Sequence, residues 1–329
     1  AFSGLLSLQY LILQKNKLSI LKNGSFKNLV SLRDLNLYDN GILEIESETF
    51  LGLQALDILE IQKNKLRILK KKIFKNLKSL KQLHIFDNEI SVIEPGAFSD
   101  LLSLHTLLLF SNKLTNVTIG TFNNLSSLHN IHLSQNEINT IEPGSFSNLD
   151  QCTDLYLSSN KITKLYSGMF NDIPSLQTLS LSFNEITDVE SGAFAGLYSL
   201  KYLYLNDNNL RKIPTDICEH LPKLEYLEIE NNAMVSNSAF LLYINIKEIQ
   251  QLCLITPSKS KRLVPAVQHA NVTTATPAVK TTKQPLSLLM IYILTGCSIF
   301  ILCTISASVI FYKRKTKNSN FCLTIDEEK

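Results

Sequence analysis

An asparagine returns every 24 residues along most of this chain, and no other feature constrains the fold as strongly. Asn16, Asn40, Asn64, Asn88, Asn112, Asn136, Asn160, Asn184, Asn208 and Asn232 follow one another without a single insertion. Each closes the frame L-x-x-L-x-L-x-x-N, as in Leu80, Leu83, Ile85 and Asn88, or Leu176, Leu179, Leu181 and Asn184. A phenylalanine stands ten residues after eight of them, from Phe26 and Phe50 through Phe170 and Phe194. One coil of this length cannot enclose a core, so each must bury its apolar residues against the coils before and after it.

The L-x-L step predicts one short strand with leucines inward and the intervening residues outward. The asparagine amide carries donors and an acceptor, which suits it to the sharp turn behind the strand, where backbone groups would otherwise be buried unpaired. Stacked coils would turn these asparagines into a ladder and the phenylalanines into a column. The far side carries turn chemistry such as Ile93-Glu94-Pro95-Gly96-Ala97-Phe98. The expectation is a solenoid with a parallel sheet on its concave face, roughly 45 Å long for ten strands at about 4.8 Å each.

The frame, its length and the phenylalanine position resemble the extracellular "typical" leucine-rich repeats of vertebrate type I membrane proteins, platelet glycoprotein V and its relatives among them. The resemblance covers roughly residues 1–255 and implies an α/β horseshoe that binds other macromolecules. Residues 1–232 are read as the array. Its opening, Ala1-Phe2-Ser3-Gly4-Leu5, matches the end of a repeat, so the array is expected to be truncated at its N-terminus. In this family the array usually ends in a cysteine-stapled cap that opens N-P-W-x-C-x-C. Here Ser236 and Ser238 stand at the cysteine positions, so residues 233–255 are expected to form a degenerate, unstapled cap. Within it, residues 240–249 resemble the cap helix, and Cys253 is either a buried free thiol or an intermolecular disulfide partner.

Residues 256–285 are rich in Thr, Pro, Ala and Lys and read as an extended stalk. Residues 286–312 carry no charge and are long enough to span a bilayer. Lys313-Arg314-Lys315 follows at once, which puts residues 313–329 in the cytoplasm and the repeats outside. The expected location is the plasma membrane, single-pass type I. A tail this short cannot fold into a signalling domain, so any signal passes through a partner or co-receptor. Cys322 in the tail is a palmitoylation candidate or an unmodified thiol.

Catalysis finds no support. Phosphate loops, nucleophile elbows and zinc-protease motifs are absent, and the six cysteines are spread singly without a metal-ligand spacing. No cofactor or metal is expected. A net charge of +3 over 329 residues does not describe a nucleic-acid-seeking polycation. Cys152 and Cys218 replace a repeat leucine and a repeat phenylalanine, so both should be small buried hydrophobes. His84 and His132 share a strand position two repeats apart, too far to share an ion, while His105 and His129 lie in adjacent repeats. Sequons at Asn23, Asn116, Asn124 and Asn271 are N-glycosylation candidates, the first three mapping away from the concave positions.

The candidate ligand site follows from the outward positions of the strand frame. Ile58, His84, Phe86, Thr106, Leu108, Phe110, Asn130, His132 and Tyr156 fall on one face, with Tyr202, Tyr204 and Tyr226 nearer the membrane. Such an apolar patch either binds a partner or packs on itself. His84 and His132 would allow binding to weaken at endosomal pH. A second candidate is the basic run Lys63, Lys65, Arg67, Lys70, Lys71, Lys72, Lys75, Lys78 and Lys81, which has no acid between Glu60 and Asp87. It is either a solvated surface or a patch for a polyanion such as heparan sulfate, with Lys70, Lys71, Lys72, Lys75 and Lys78 at its centre. The reading is a cell-surface receptor or adhesion protein for an extracellular protein ligand or matrix component, with signalling through partners. The alternative is a structural membrane protein that anchors matrix or heparan sulfate without signalling.

Overall fold

The computed structural model describes residue 2, residues 4–214 and residues 216–233. The expected cap beyond residue 233, the stalk, the membrane span and the tail lie outside the described residues, as do Cys253, Asn271, Cys322 and the side chain of Cys218. Among the described residues no helix is long and apolar enough to cross a membrane.

Ten three-residue strands, one per 24-residue coil, form a single parallel sheet in strict sequence order from Tyr10–Ile12 to Tyr226–Glu228. The register advances by one repeat per strand: Leu35 faces Leu59, Leu59 faces Leu83, and Leu83 faces Leu107. These central leucines are fully buried, while the residues on either side of each are exposed or half-buried on the opposite face. The alternation is that of a sheet with one apolar face.

Behind each strand the asparagine closes the turn. Asn112 donates from Nδ2 to the carbonyls of Leu109 at 3.0 Å and Ile85 at 3.1 Å, and its Oδ1 accepts from the Ile90 backbone N–H at 3.0 Å. Each asparagine of the 24-residue series from Asn64 to Asn208 repeats this arrangement and is 6–7 % exposed. The amide therefore ties its own turn to the preceding coil and satisfies backbone groups that water cannot reach.

The phenylalanines stack face to face from Phe2 through Phe170 with ring centroids 5.8–6.4 Å apart. Strands in a sheet are only about 4.8 Å apart. The coils are thus more widely spaced at the phenylalanine column than at the sheet, and the sheet face is the concave one. The outer side shows the same spread. Its two-residue strands pair only two by two, as Ile68–Leu69 with Val92–Ile93 and Asn116–Val117 with Thr140–Ile141, with gaps between pairs.

The helical half of an α/β horseshoe is nearly missing among the described residues. The return segments are turns, and the only described helix is the four-residue Ile217–His220 in the last coil. The physical reason lies in the turns themselves. The position eight residues after the asparagine is left-handed at Lys72, Gly96, Gly120, Gly144, Gly168 and Gly192, which interrupts any helix at the same point of those six coils. Asp216 holds the equivalent place before the short helix with φ −87°, so the interruption is lost there.

Candidate binding face

The side chains on the sheet face come from the residues flanking each central leucine, plus the residue two places after the strand. In the middle of the array they form an aromatic stack across four coils. Phe86 and Phe110 lie face to face, with centroids 4.3 Å apart at 12°. Phe110 meets the edge of His132 at 6.4 Å, and His132 stacks on Tyr156 at 4.2 Å and 20°. Leu108 sits between His84 and His132 in register, and Ile58 pairs with Gln82 and Asp34 on the neighbouring strands. Ile58, Phe86, Leu108, Phe110, His132 and Tyr156 are half-buried rather than freely exposed, and within the stack each ring covers the next. Thr106 and Asn130 are half-buried on the same face, and Asn130 Nδ2 donates to Asp154 at 2.9 Å.

Burial corrects the expected pH response of His132. Desolvation between Phe110 and Tyr156 lowers its pKa from 6.5 to about 4, against a smaller opposite pull from Asp154. The ring stays neutral at endosomal pH, so it cannot supply a charge that repels a cationic ligand there. His84 is placed differently: its Nδ1 lies 3.7 Å from Glu60 Oε1.

A second aromatic group closes the far end. Tyr204 and Tyr226 are 5.5 Å apart and tilted by 50°, and the Tyr226 hydroxyl donates to Glu228 at 3.2 Å. Tyr202 stands beside Tyr226 in register and, like it, is exposed. Burial and the nearby Glu228 raise the Tyr226 pKa to about 12. Burial likewise raises that of Glu228, with Glu230 and Asp207 adding to it.

The sheet face has a charge pattern that a search for apolar positions overlooks. It carries the carboxylates Asp34, Glu60, Asp154, Glu228 and Glu230, and not one lysine or arginine from Tyr10 to Glu230. Asp34 is desolvated enough to raise its pKa from 3.8 to about 6, with Glu60 adding to the rise and His84 opposing it. Its Oδ1 is buried with no hydrogen-bond partner, and so is Oε1 of Gln62, a residue only 7 % exposed. Asn36 donates from Nδ2 to Glu60. The signal was present in the sequence as acids at the third, fifth and seventh frame positions.

The lysine run is less basic in space than along the chain, because coils 24 residues apart bring acids to it. Lys63 pairs with Asp39 at 3.1 Å, Arg67 with Glu89 at 3.0 Å, Lys70 with Glu44 at 2.8 Å and Lys81 with Asp57 at 3.0 Å. Lys71, Lys72, Lys75 and Lys78 are exposed and form no ion pair among the described residues. The surviving patch is therefore about half the run and lies on the return side of the coil.

His105 and His129 stack at 5.2 Å and 8°, each with Nδ1 against a backbone carbonyl, Ser103 at 2.6 Å and Ser127 at 2.7 Å. Parallel rings cannot aim both remaining nitrogens at one ion, and no group of three ligand residues that could hold a metal occurs among the described residues. Cys152 is fully buried, and burial raises its thiol pKa to about 12. Asn23, Asn116 and Asn124 are exposed and lie off the sheet face, Asn116 on an outer strand.

The family described as leucine rich repeat matches residues 1–42, 34–88, 56–114, 102–162, 146–186 and 174–234. Among solved structures, the TLR13–ssRNA13 complex is 28 % identical with a TM-score of 0.64, over 70 % of this chain and 33 % of that one. The leucine-rich-repeat protein LIC12759 of Leptospira interrogans is also 28 % identical, with a TM-score of 0.57, over 75 % of this chain and 64 % of that one. FLRT2, in an octameric complex with latrophilin 3 and Unc5D, is 24 % identical with a TM-score of 0.57 and shares the fold, over 76 % of this chain and 82 % of that one. The chain thus spans about a third of the TLR13 structure. No curated protein sequence matches it. No catalytic family is indicated, and with family matches running unbroken from residue 1 to residue 234, the chain belongs to the leucine-rich-repeat family.

Proposed function

We propose that the chain is a non-enzymatic cell-surface receptor or adhesion protein of the glycoprotein V-like type, which holds an extracellular protein ligand on its concave sheet face. The observation that carries this reading is the aromatic stack Phe86–Phe110–His132–Tyr156 on the sheet face, with Leu108 beside it and polar residues such as Gln82, Thr106, Asn130 and Ser134 around it. Half-buried aromatics within a polar rim are favoured anchors in protein interfaces. The structures of TLR13 and FLRT2 were each solved in complex with a macromolecule, RNA in the first and proteins in the second. Ligand binding by this chain agrees with both, and a face lined by carboxylates disfavours RNA here. The uncharged stretch 286–312 and the basic residues after it support a membrane anchor with the repeats outside.

The test is proximity labelling from the chain on cultured cells, comparing wild type with Phe86→Ser/Phe110→Ser. Loss of the labelled protein partner at an unchanged surface level is the expected result. An unchanged partner set would place the site elsewhere. The second reading, anchorage to heparan sulfate, is favoured by the exposed unpaired Lys71, Lys72, Lys75 and Lys78. Salt-sensitive retention on heparin, lost when Lys71, Lys72 and Lys75 become Ser, would support it. Retention indifferent to those changes would end it.

A further inference from the structure

We infer that the partner of the concave face is a basic protein, whose lysine or arginine side chains enter two acceptor-lined corners on either side of the aromatic stack. This rests on the reading of that face as the binding site and names the chemistry of its ligand. The first corner is made by Asp34 and Glu60, with Gln62 further along the same face. Asp34 and Glu60 come from adjacent strands, and Gln62 follows Glu60 by two residues and so projects from the same face. Asp34 Oδ1 and Gln62 Oε1 are both buried acceptors without a donor, and Gln62 is only 7 % exposed. Glu60 already accepts from Asn36, but the buried Asp34 oxygen has no donor, and a buried acceptor left unpaired beside a second carboxylate calls for a donor-rich cation. A guanidinium or ammonium supplies donors only, and its charge would relieve the mutual repulsion of Asp34 and Glu60.

The second corner is Tyr204, Tyr226 and Glu228. Two tilted rings 5.5 Å apart beside a carboxylate offer ring faces and a counter-charge to the same cation. Glu230 adds a further negative charge at this end. Asp34 and Glu228 lie eight strands apart, about 38 Å at the usual strand spacing, with the Phe86–Phe110 stack between them. The array thus asks for a partner with cations at both ends of its contact surface and an apolar centre. The cations at the edge of the sheet do not cancel this charge, because they are spent on acids beside them: Arg33 and Lys81 both bridge to Asp57, and Lys63 pairs with Asp39.

The test uses the full chain solubilised in detergent and a library of twelve-residue peptides with Leu and Phe at the centre and Lys/Arg, Gln or Glu at the flanks. The expected result is that wild type enriches the Lys/Arg-flanked peptides. Asp34→Asn/Glu60→Gln and Glu228→Gln should each weaken them by about tenfold, with a smaller effect at high salt. Phe86→Ser/Phe110→Ser should weaken all peptides alike. Selection of Gln- or Glu-flanked peptides that still depend on Phe86 and Phe110 would overturn the charge assignment and leave the concave site standing. Selection of basic peptides indifferent to both the carboxylate and the phenylalanine changes would overturn the two together. Melting of each variant at or above the wild-type temperature separates lost binding from lost folding.

Discussion

Asp34 and His132 make stability respond to pH in opposite directions. The Asp34 carboxyl is raised from 3.8 to about 6 by burial and by Glu60. Between those values the folded chain holds a proton that the unfolded chain has released, so this group's contribution falls as pH rises through that window. His132 is lowered from 6.5 to about 4, so there the unfolded chain holds the extra proton and stability rises with pH. Each effect is of order 3 kcal/mol. Asp34→Asn should therefore raise the melting temperature at pH 7 and lose that gain below pH 4. His132→Phe, which keeps a ring between Phe110 and Tyr156, should help most below pH 4. Melting curves at pH 4, 5.5 and 7 check both, and a gain in either variant that is independent of pH would contradict the assignment. Phe183 is a different case. It lies in the left-handed region at φ +55° and is 53 % exposed. The same turn position is left-handed at Asp39, Asp87, Asp207 and Asn231, which tolerate it better than a bulky ring does. Phe183→Asn should stabilise the chain by about 1 kcal/mol, read as a higher melting temperature.

The repeating coil is held by its asparagine and its phenylalanine. Asn112→Ala removes the acceptor of the Ile90 N–H and the donors to Leu109 and Ile85, all in a buried turn. A loss of about 2–4 kcal/mol is expected, with hydrogen exchange quickest to rise at Ile90. Phe98→Ala opens a void between Phe74 and Phe122 and should cost about 3–5 kcal/mol. Denaturant melts check the magnitudes. Ten strands, the asparagine ladder and the phenylalanine column were all legible in the sequence, because a residue that recurs every 24 places can only be serving the same place in each coil. Cys152 was legible for the same reason and is buried where a leucine belongs. The partial neutralisation of the lysine run was not legible along the chain, since Asp39, Glu44 and Glu89 reach Lys63, Lys70 and Arg67 from 22 to 26 residues away. Nor was the half-burial of Phe86 and Phe110, because alternation tells which face a side chain takes and says nothing of the neighbour that covers it. The acids of the concave face were in plain view at fixed frame positions, but they are scattered among repeats and gather only when strands are laid side by side.

At the scale of the molecule, a stacked array is only as stable as its coupling between neighbours, and its ends differ from its middle. Leu227 in the last described strand is half-buried, whereas Leu59, Leu83 and Leu107 are fully buried. Amide exchange should be faster in the last strand than in the central ones. Cys152, with its thiol pushed up to about 12, should resist thiol reagents until the array unfolds. The proposed orientation is checked by epitope tags at the two ends of the expressed chain: a C-terminal tag accessible on intact cells would refute it. The central claim is that partners dock on the concave sheet, and a glycan wedge tests it most directly. Thr106→Asn with Leu108→Thr creates a sequon on the sheet face between Phe86 and His132. Asn23→Gln, Asn116→Gln and Asn124→Gln remove the candidate sites elsewhere. Binding of the secreted array to cultured cells should be lost with the added concave glycan, once mass spectrometry shows that the glycan is attached, and should be unchanged when the other three are removed. Undiminished binding with a glycan seated on the sheet would contradict the account.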